Sequence, residues 1–156
     1  MAAEPDEQID AVADAVLAAS RLLVAVSARS IAAVDESISL AQYRLLVVLS
    51  SGRQKVTALA EALGVNPSSA TRAVDRLLDA GLVDRQRNPR SRRETQVSLT
   101  TAGRRVVREV TRHRRAEVAA IVGRMPASDQ RGLVRALRAF SEAGGDLVPV
   151  SRDEPG

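Results

Sequence analysis

The sequence predicts a mainly α-helical (α+β) fold with one small β hairpin, and three observations carry that prediction. Apolar residues recur at helical spacing toward both ends of the chain. Two short segments near the middle, each with an apolar face, are separated by a glycine. A basic stretch after them ends in alternating polar and apolar residues, which is the period of a strand. At 156 residues the chain is long enough for one domain with a full core. Its hydrophobic fraction is 45%, yet Tyr43 and Phe140 are its only aromatic residues, so that core must be built from Ala, Val, Leu and Ile.

The first helix is expected from about Glu7 to Ala33, where Ile9, Val12, Val16, Leu23, Val26 and Ser30 recur at helical spacings. Asp10 and Asp14 suit its positive end. Its length exceeds what one small core needs, which points to a partner helix from another subunit. The second helix spans Leu40 to Ser50, with Ser39 as cap and Gly52 near its end. A third, within VTALAEALG at 56–64, buries Leu59, Ala60 and Leu63 and turns at Gly64. Asn66 and Pro67 then supply a cap and a proline at the first helical position, and the fourth helix continues through Asp79 until Gly81 stops it. Leu82, Val83 and Asp84 open one strand, and TQVSLT at 95–100 forms a second, with Asn88 and Pro89 at the turn of the loop between them. A long helix follows Thr100 to about Arg124, Pro126 interrupts it, and a last helix runs from about Ser128 to Ala143 before Gly144 and Gly145.

Helix, turn, helix and basic hairpin, in that order, make a winged helix-turn-helix. The chain then divides into an acidic N-terminal segment and dimerisation helix (1–36), the winged helix-turn-helix (37–100), C-terminal helices completing the dimerisation layer (101–145) and a flexible tail (146–156).

Charge is distributed unevenly. The formal net charge is +4, and all but Lys55 of the 23 basic residues are arginine. Residues 1–36 hold seven acids against Arg21 and Arg29, whereas 85–115 hold eleven arginines against Glu94 and Glu109. Such a one-signed region suits a polyanionic partner. On the fourth helix, Ala70, Val74, Leu77 and Leu78 must pack inward. Ser69, Arg72 and Arg76 share the opposite side, where hydroxyl and guanidinium groups can meet base edges in a major groove. Ser68, at the helix start, lies among free N–H groups suited to a phosphate. Arg76 is the weaker base reader, because Asp79 three residues on can hold it. In the stretch RQRNPRSRR, Arg85, Arg87, Arg90, Arg92 and Arg93 suit a narrow minor groove or phosphates, with Asn88 to Ser91 as the tip. Arg85 and Arg93 sit nearer the strands, where they could clamp phosphate or brace the wing.

Other chemistries find little support. Without cysteine there is no disulfide, thiol sensor or cysteine-ligated metal. His113 is the only histidine and has no local relay, and the carboxylates lack metal-binding spacing, so neither an enzyme nor a cofactor is expected. No apolar run reaches membrane length, and MAAEPDEQ lacks the features of a signal peptide, which leads to the expectation of a soluble, cytoplasmic protein.

From about Ile9 to Phe140 the chain resembles the MarR family of bacterial transcriptional regulators. The match is best from TRAVDRLLDAGLVDR at 71–85, through the arginines, to VSLTTAG at 97–103. The resemblance implies a homodimer on a pseudo-palindromic double-stranded operator. It also implies repression relieved by a small aromatic or phenolic molecule in a cleft between the two layers. It places groove reading on Ser68, Ser69, Thr71 and Arg72 and wing function on Arg90, Arg92 and Arg93, and it makes Arg29, Ser30, Tyr43, Arg44 and His113 candidates for the effector pocket. Asn88 and Ser91 depart from the pattern, standing where many members carry aspartate. The alternatives are a winged-helix module that binds protein, and a regulator of this family without an effector.

Overall fold

The computed structural model describes residues 5–88 and 90–145; for 91–94 it describes the backbone only. The predicted tail at 146–156 and Pro89 lie outside the described residues.

The first helix, α1 (Pro5–Val34), would be about 45 Å long at 1.5 Å per residue. Only its C-terminal third is built into the domain, where Val26, Ser27, Ser30 and Ile31 are buried. Ile9 and Val12 of the predicted apolar repeat, and Leu17 near them, are more than half exposed. After a short turn, α2 (Leu40–Leu49) opens on a capping box in which the Ser39 hydroxyl accepts from the Gln42 N–H and the Gln42 side chain accepts from the Ser39 N–H. The strand β1 (Gln54–Lys55) leads directly into α3 (Val56–Leu63). Gly64 ends α3 at φ 64°, a left-handed turn that favours glycine. The helix α4 (Pro67–Asp79) starts as the sequence predicts: Pro67 occupies its first turn and the Asn66 Oδ1 accepts from the Ser69 N–H at 2.9 Å.

The wing differs from expectation. Its basic segment is mostly strand: β2 (Val83–Asn88) pairs antiparallel with β3 (Ser91–Leu99), so Arg85 and Arg87 stand on ladder positions, while Arg92 and Arg93 lie on β3 where the register shifts beyond the Arg87–Thr95 pair. The sheet also has a third strand. β1 pairs with β3, Gln54 opposite Val97 and Lys55 opposite Gln96, giving the order β1-β3-β2. Two polar residues carry no alternation, so β1 has no period to detect.

Two helices complete the chain, α5 (Thr101–Val122) and α6 (Ala127–Gly144). The end of α5 falls two residues short of Arg124, whereas α6 continues through Gly144, differences of the size expected of fraying helix ends. Leu45, Leu46, Leu59, Leu77, Val83, Val97 and Val110 form the centre of one aliphatic core that joins α2, α3, α4, the sheet and α5. No α6 residue is buried, and Val134, Leu137 and Phe140 are more than half exposed. Among the described residues no helix is long and apolar enough to cross a membrane.

One junction ties α5 to the rest. The Thr100 N–H donates to the Leu82 carbonyl at 3.1 Å and the Thr100 hydroxyl donates to the Gly81 carbonyl at 2.8 Å, while the same hydroxyl accepts from the Gly103 N–H at 3.1 Å. Gly103 is buried against the turn between α4 and β2, so close that a Cβ there would lie 2.1 Å from the Leu82 oxygen.

Candidate nucleic-acid interface

Strand alternation explains how the wing meets α4. Val83, Arg85 and Arg87 project from one face of β2, and their β3 partners are Leu99, Val97 and Thr95. At the inner end this face is core, with Val83, Val97 and Leu99 buried; farther out the same face becomes Arg85, Arg87 and Thr95. An arginine placed there faces the helices. Arg85 Nη2 meets Asp75 Oδ1 of α4 at 2.7 Å, so between phosphate clamp and wing brace the geometry makes Arg85 a brace in the unbound chain. The pair is part-exposed, with 36% and 53% side-chain accessibility for Arg85 and Asp75, and its direct contribution to stability is correspondingly small, about 0–1 kcal/mol.

On α4, Ala70, Val74 and Leu77 are buried as predicted, while Ser68, Thr71, Arg72 and Arg76 are exposed and Ser69 is half-buried. The Ser68 hydroxyl donates to Asn66 Oδ1 at 2.8 Å, and that of Thr71 donates to the Pro67 carbonyl at 2.9 Å. Their oxygens keep lone pairs with which to accept from a base amino group. Among the described residues no ion pair joins Arg76 to Asp79, so the internal bridge expected from their spacing does not form; Asp75 is the α4 carboxylate that takes an arginine.

Arg87 and Arg90 are exposed, and the side chains of Arg92 and Arg93 lie outside the described residues. At the tip, the Arg90 N–H donates to Asn88 Oδ1 at 3.0 Å, an Asx-type contact that shapes the turn.

Two concavities flank these elements. One, of about 510 Å³, lies between α3, α4 and the wing; Lys55, Thr57, Thr71, Arg85 and Thr95 line it with Val56 and Pro67. Sequence reasoning assigned no role to Lys55, Thr57 or Thr95. The usable signal was that Lys55 is the only lysine. The other, of about 380 Å³, opens between α1, α2 and α5 and is mostly apolar, with Leu23, Val24, Val47 and Val48 among its walls. Of the five pocket candidates, Tyr43 and Arg44 line it, and Arg114 joins them from α5. Tyr43 is buried, its hydroxyl 3.5 Å from Thr111 Oγ1. Arg29, Ser30 and His113 do not line this cleft. Arg29 is bound to Glu117 of α5, Ser30 is buried with no hydrogen-bond partner for its hydroxyl, and His113 is exposed. No group of three or more acids and histidines suited to a metal occurs among the described residues.

Comparison with known proteins gives the architecture its context. The family model described as MarR family matches residues 38–95. The chain is similar to RV1404 of Mycobacterium tuberculosis, at 54% identity over 93% of this chain and 98% of that one, with a TM-score of 0.81. The chain belongs to the MarR family. Another similar structure is Sco5413 of Streptomyces coelicolor, a MarR family transcriptional regulator, at 28% identity over 91% and 99% of the two chains and a TM-score of 0.66. The fold is shared with a cysteine-to-serine mutant of MarR from E. coli complexed with operator DNA, at 20% identity over 88% and 99% and a TM-score of 0.65. No curated protein sequence matches the chain. For a MarR-family wing, Asn88 is a notable residue. Its amide oxygen organises the tip by accepting from the backbone N–H of Arg90.

Proposed function

We propose that the chain is a homodimeric, sequence-specific regulator of transcription that binds pseudo-palindromic double-stranded DNA as a repressor. The placement of the wing strand beside the helix whose exposed side bears Ser68, Ser69, Thr71, Arg72 and Arg76 carries this reading, and the Arg85–Asp75 contact marks that placement. Two elements held in a set relation can enter adjacent grooves together, α4 the major and the hairpin tip the minor. In this reading residues 37–100 form the DNA-binding region. α1 and residues 101–145 form the layer shared by two copies, which accounts for the apolar side chains of α1 and α6 that are exposed among the described residues. A two-fold dimer would set its α4 helices about 34–36 Å apart, so half-site centres fall about 10 base pairs apart or at a multiple.

The cleft between α1, α2 and α5 is the effector site in this reading. Its aliphatic walls with Tyr43, beside the guanidinium groups of Arg44 and Arg114, suit a small aromatic or phenolic acid whose binding releases DNA.

Selection of bound duplexes from random DNA, then footprinting at several salt concentrations, tests the DNA reading. It predicts an inverted repeat with that spacing and an affinity falling by about 0.9 logarithmic units per phosphate neutralised. Sequence-independent binding with no symmetry would refute it. A broad panel of aromatic acids that neither releases the operator nor raises the melting temperature would refute the effector.

A further inference from the structure

The first turn of α4 carries two hydroxyls whose protons are already placed. Asn66 Oδ1 accepts from the Ser69 N–H at 2.9 Å, and this fixes which atom of the Asn66 amide is the oxygen. Ser68 Oγ lies 2.8 Å from that same oxygen, which can only accept, so the Ser68 hydroxyl spends its one proton there. Thr71 Oγ1 lies 2.9 Å from the Pro67 carbonyl oxygen, another pure acceptor, so its proton is spent as well. Both residues are exposed, and at a separation of three they are neighbours on one side of the helix. What they offer outward is lone pairs alone. Arg72 and Arg76, also exposed, offer N–H donors and no acceptor. From its N-terminus onward, the exposed side of α4 passes from acceptors to donors.

We infer that Ser68 and Thr71 accept hydrogen bonds from base amino groups, adenine N6 or cytosine N4, and so demand an amino-bearing base where the first turn of α4 enters the groove. The inference rests on the DNA-binding reading and deepens it by naming the base chemistry. Phosphate is the other partner that the start of a helix meets, but its oxygens are acceptors and would face the hydroxyl lone pairs. Binding one through either hydroxyl would break the bond to Asn66 or to Pro67. Guanine O6 and N7 and thymine O4 are acceptors too and are rejected on the same ground, which leaves the amino groups of adenine and cytosine as the major-groove donors. Arg72 takes the complementary part, because its guanidinium fork matches guanine O6 and N7. It lies four residues after Ser68, about 6 Å along the helix, which is about two base steps at about 3.4 Å each. Each half-site is then expected to hold an adenine or cytosine within about two steps of a guanine.

The test uses the selected operator with single bases replaced by analogues that keep the ring and lack the amino group, deoxynebularine for adenine and deoxyzebularine for cytosine. At one or two positions per half-site the replacement should weaken the wild-type protein about threefold to tenfold. Thr71→Val keeps the shape of the side chain and loses the acceptor, so it should be insensitive to the replacement at one of these positions, and Ser68→Ala at the same position or its neighbour. Each variant should also lose the base preference there and keep the rest of the selected sequence. The analogue series on the wild-type protein stands by itself if either variant fails to fold. Replacements that leave the wild-type protein unaffected at every position, or variants as sensitive to them as the wild type, would overturn the inference and leave the DNA reading intact. So would variants that weaken operator and unrelated duplex by one factor with an unchanged preference, since that is the mark of a phosphate contact. A wild-type protein that selects no sequence from random DNA would overturn both.

Discussion

Replacing Gly103 with alanine tests how tightly α5 is fixed to the root of the wing. The added Cβ would lie 2.1 Å from the Leu82 carbonyl oxygen and 3.2 Å from Leu99 Cδ2. Carbon and oxygen in close contact stay about 3.3 Å apart or more, so the two segments must separate by about 1 Å. No side-chain rotation can relieve the clash, because the obstructing atom is backbone. Overpacking of this kind costs about 1–3 kcal/mol. The separation also stretches the Thr100 N–H to Leu82 bond, now 3.1 Å, and the Thr100 hydroxyl bond to Gly81, each contributing about 1 kcal/mol. Alanine returns about 1 kcal/mol through its better helix propensity. The net destabilisation is then about 2–4 kcal/mol, a melting temperature lower by about 4–16 °C for a domain of this size. Circular dichroism at one fixed protein concentration measures it, with Gly132→Ala as the control. Gly132 is also helical but has nothing within 4 Å of its would-be Cβ, so that substitution should be neutral or stabilise by up to about 1 kcal/mol. A Gly103→Ala protein that melts with the wild type would refute the close approach.

Three further substitutions have definite expectations. Ser30→Ala removes a buried hydroxyl with no partner and should stabilise by about 1 kcal/mol; a lower melting temperature would mean that the hydroxyl is satisfied after all. Asn66→Ala removes the acceptor for the Ser69 N–H and the Ser68 hydroxyl and should cost about 1 kcal/mol, read as a lower urea midpoint; an unchanged midpoint would show the cap to be dispensable. Arg72→Ala, at an exposed position of α4, should cost about 1–3 kcal/mol of operator affinity and relax the preference at one base position. Equal weakening on every duplex would reassign Arg72 to a phosphate.

What could be read from the sequence was local. Asn66-Pro67 before an apolar run fixes the start of α4, because a cap and a proline at the first turn each have a single geometric meaning. The alternation in TQVSLT locates β3, the central strand, for a similar reason. The wing was harder. Arginines at 85, 87, 92 and 93 suggest a loop by composition, yet 85 and 87 lie on β2 and 92 and 93 on β3, since backbone pairing between the two strands does not depend on which side chains face solvent. β1 was invisible because its two residues form a strand only by pairing with Val97 and Gln96, some forty residues away. The choice between Asp79 and Asp75 as arginine partner also turned on tertiary position. Helical spacing favours Arg76–Asp79, but only the hairpin register brings Arg85 opposite Asp75. The cleft residues Lys55, Thr57 and Thr95 have no common sequence signal, because Thr95 of β3 reaches the cleft only by folding back beside β1 and the start of α3, some forty residues earlier in the chain.

The exposed apolar residues of α1 and α6 have a consequence for dosage. If two copies must cover each other's helices, folding is linked to association and the melting temperature rises with protein concentration. Below the dissociation constant of the dimer the chain would lose stability and its paired reading heads in the same step. Occupancy of an operator would then rise more steeply than in proportion to the number of chains, so that a modest change in supply moves the site between empty and full.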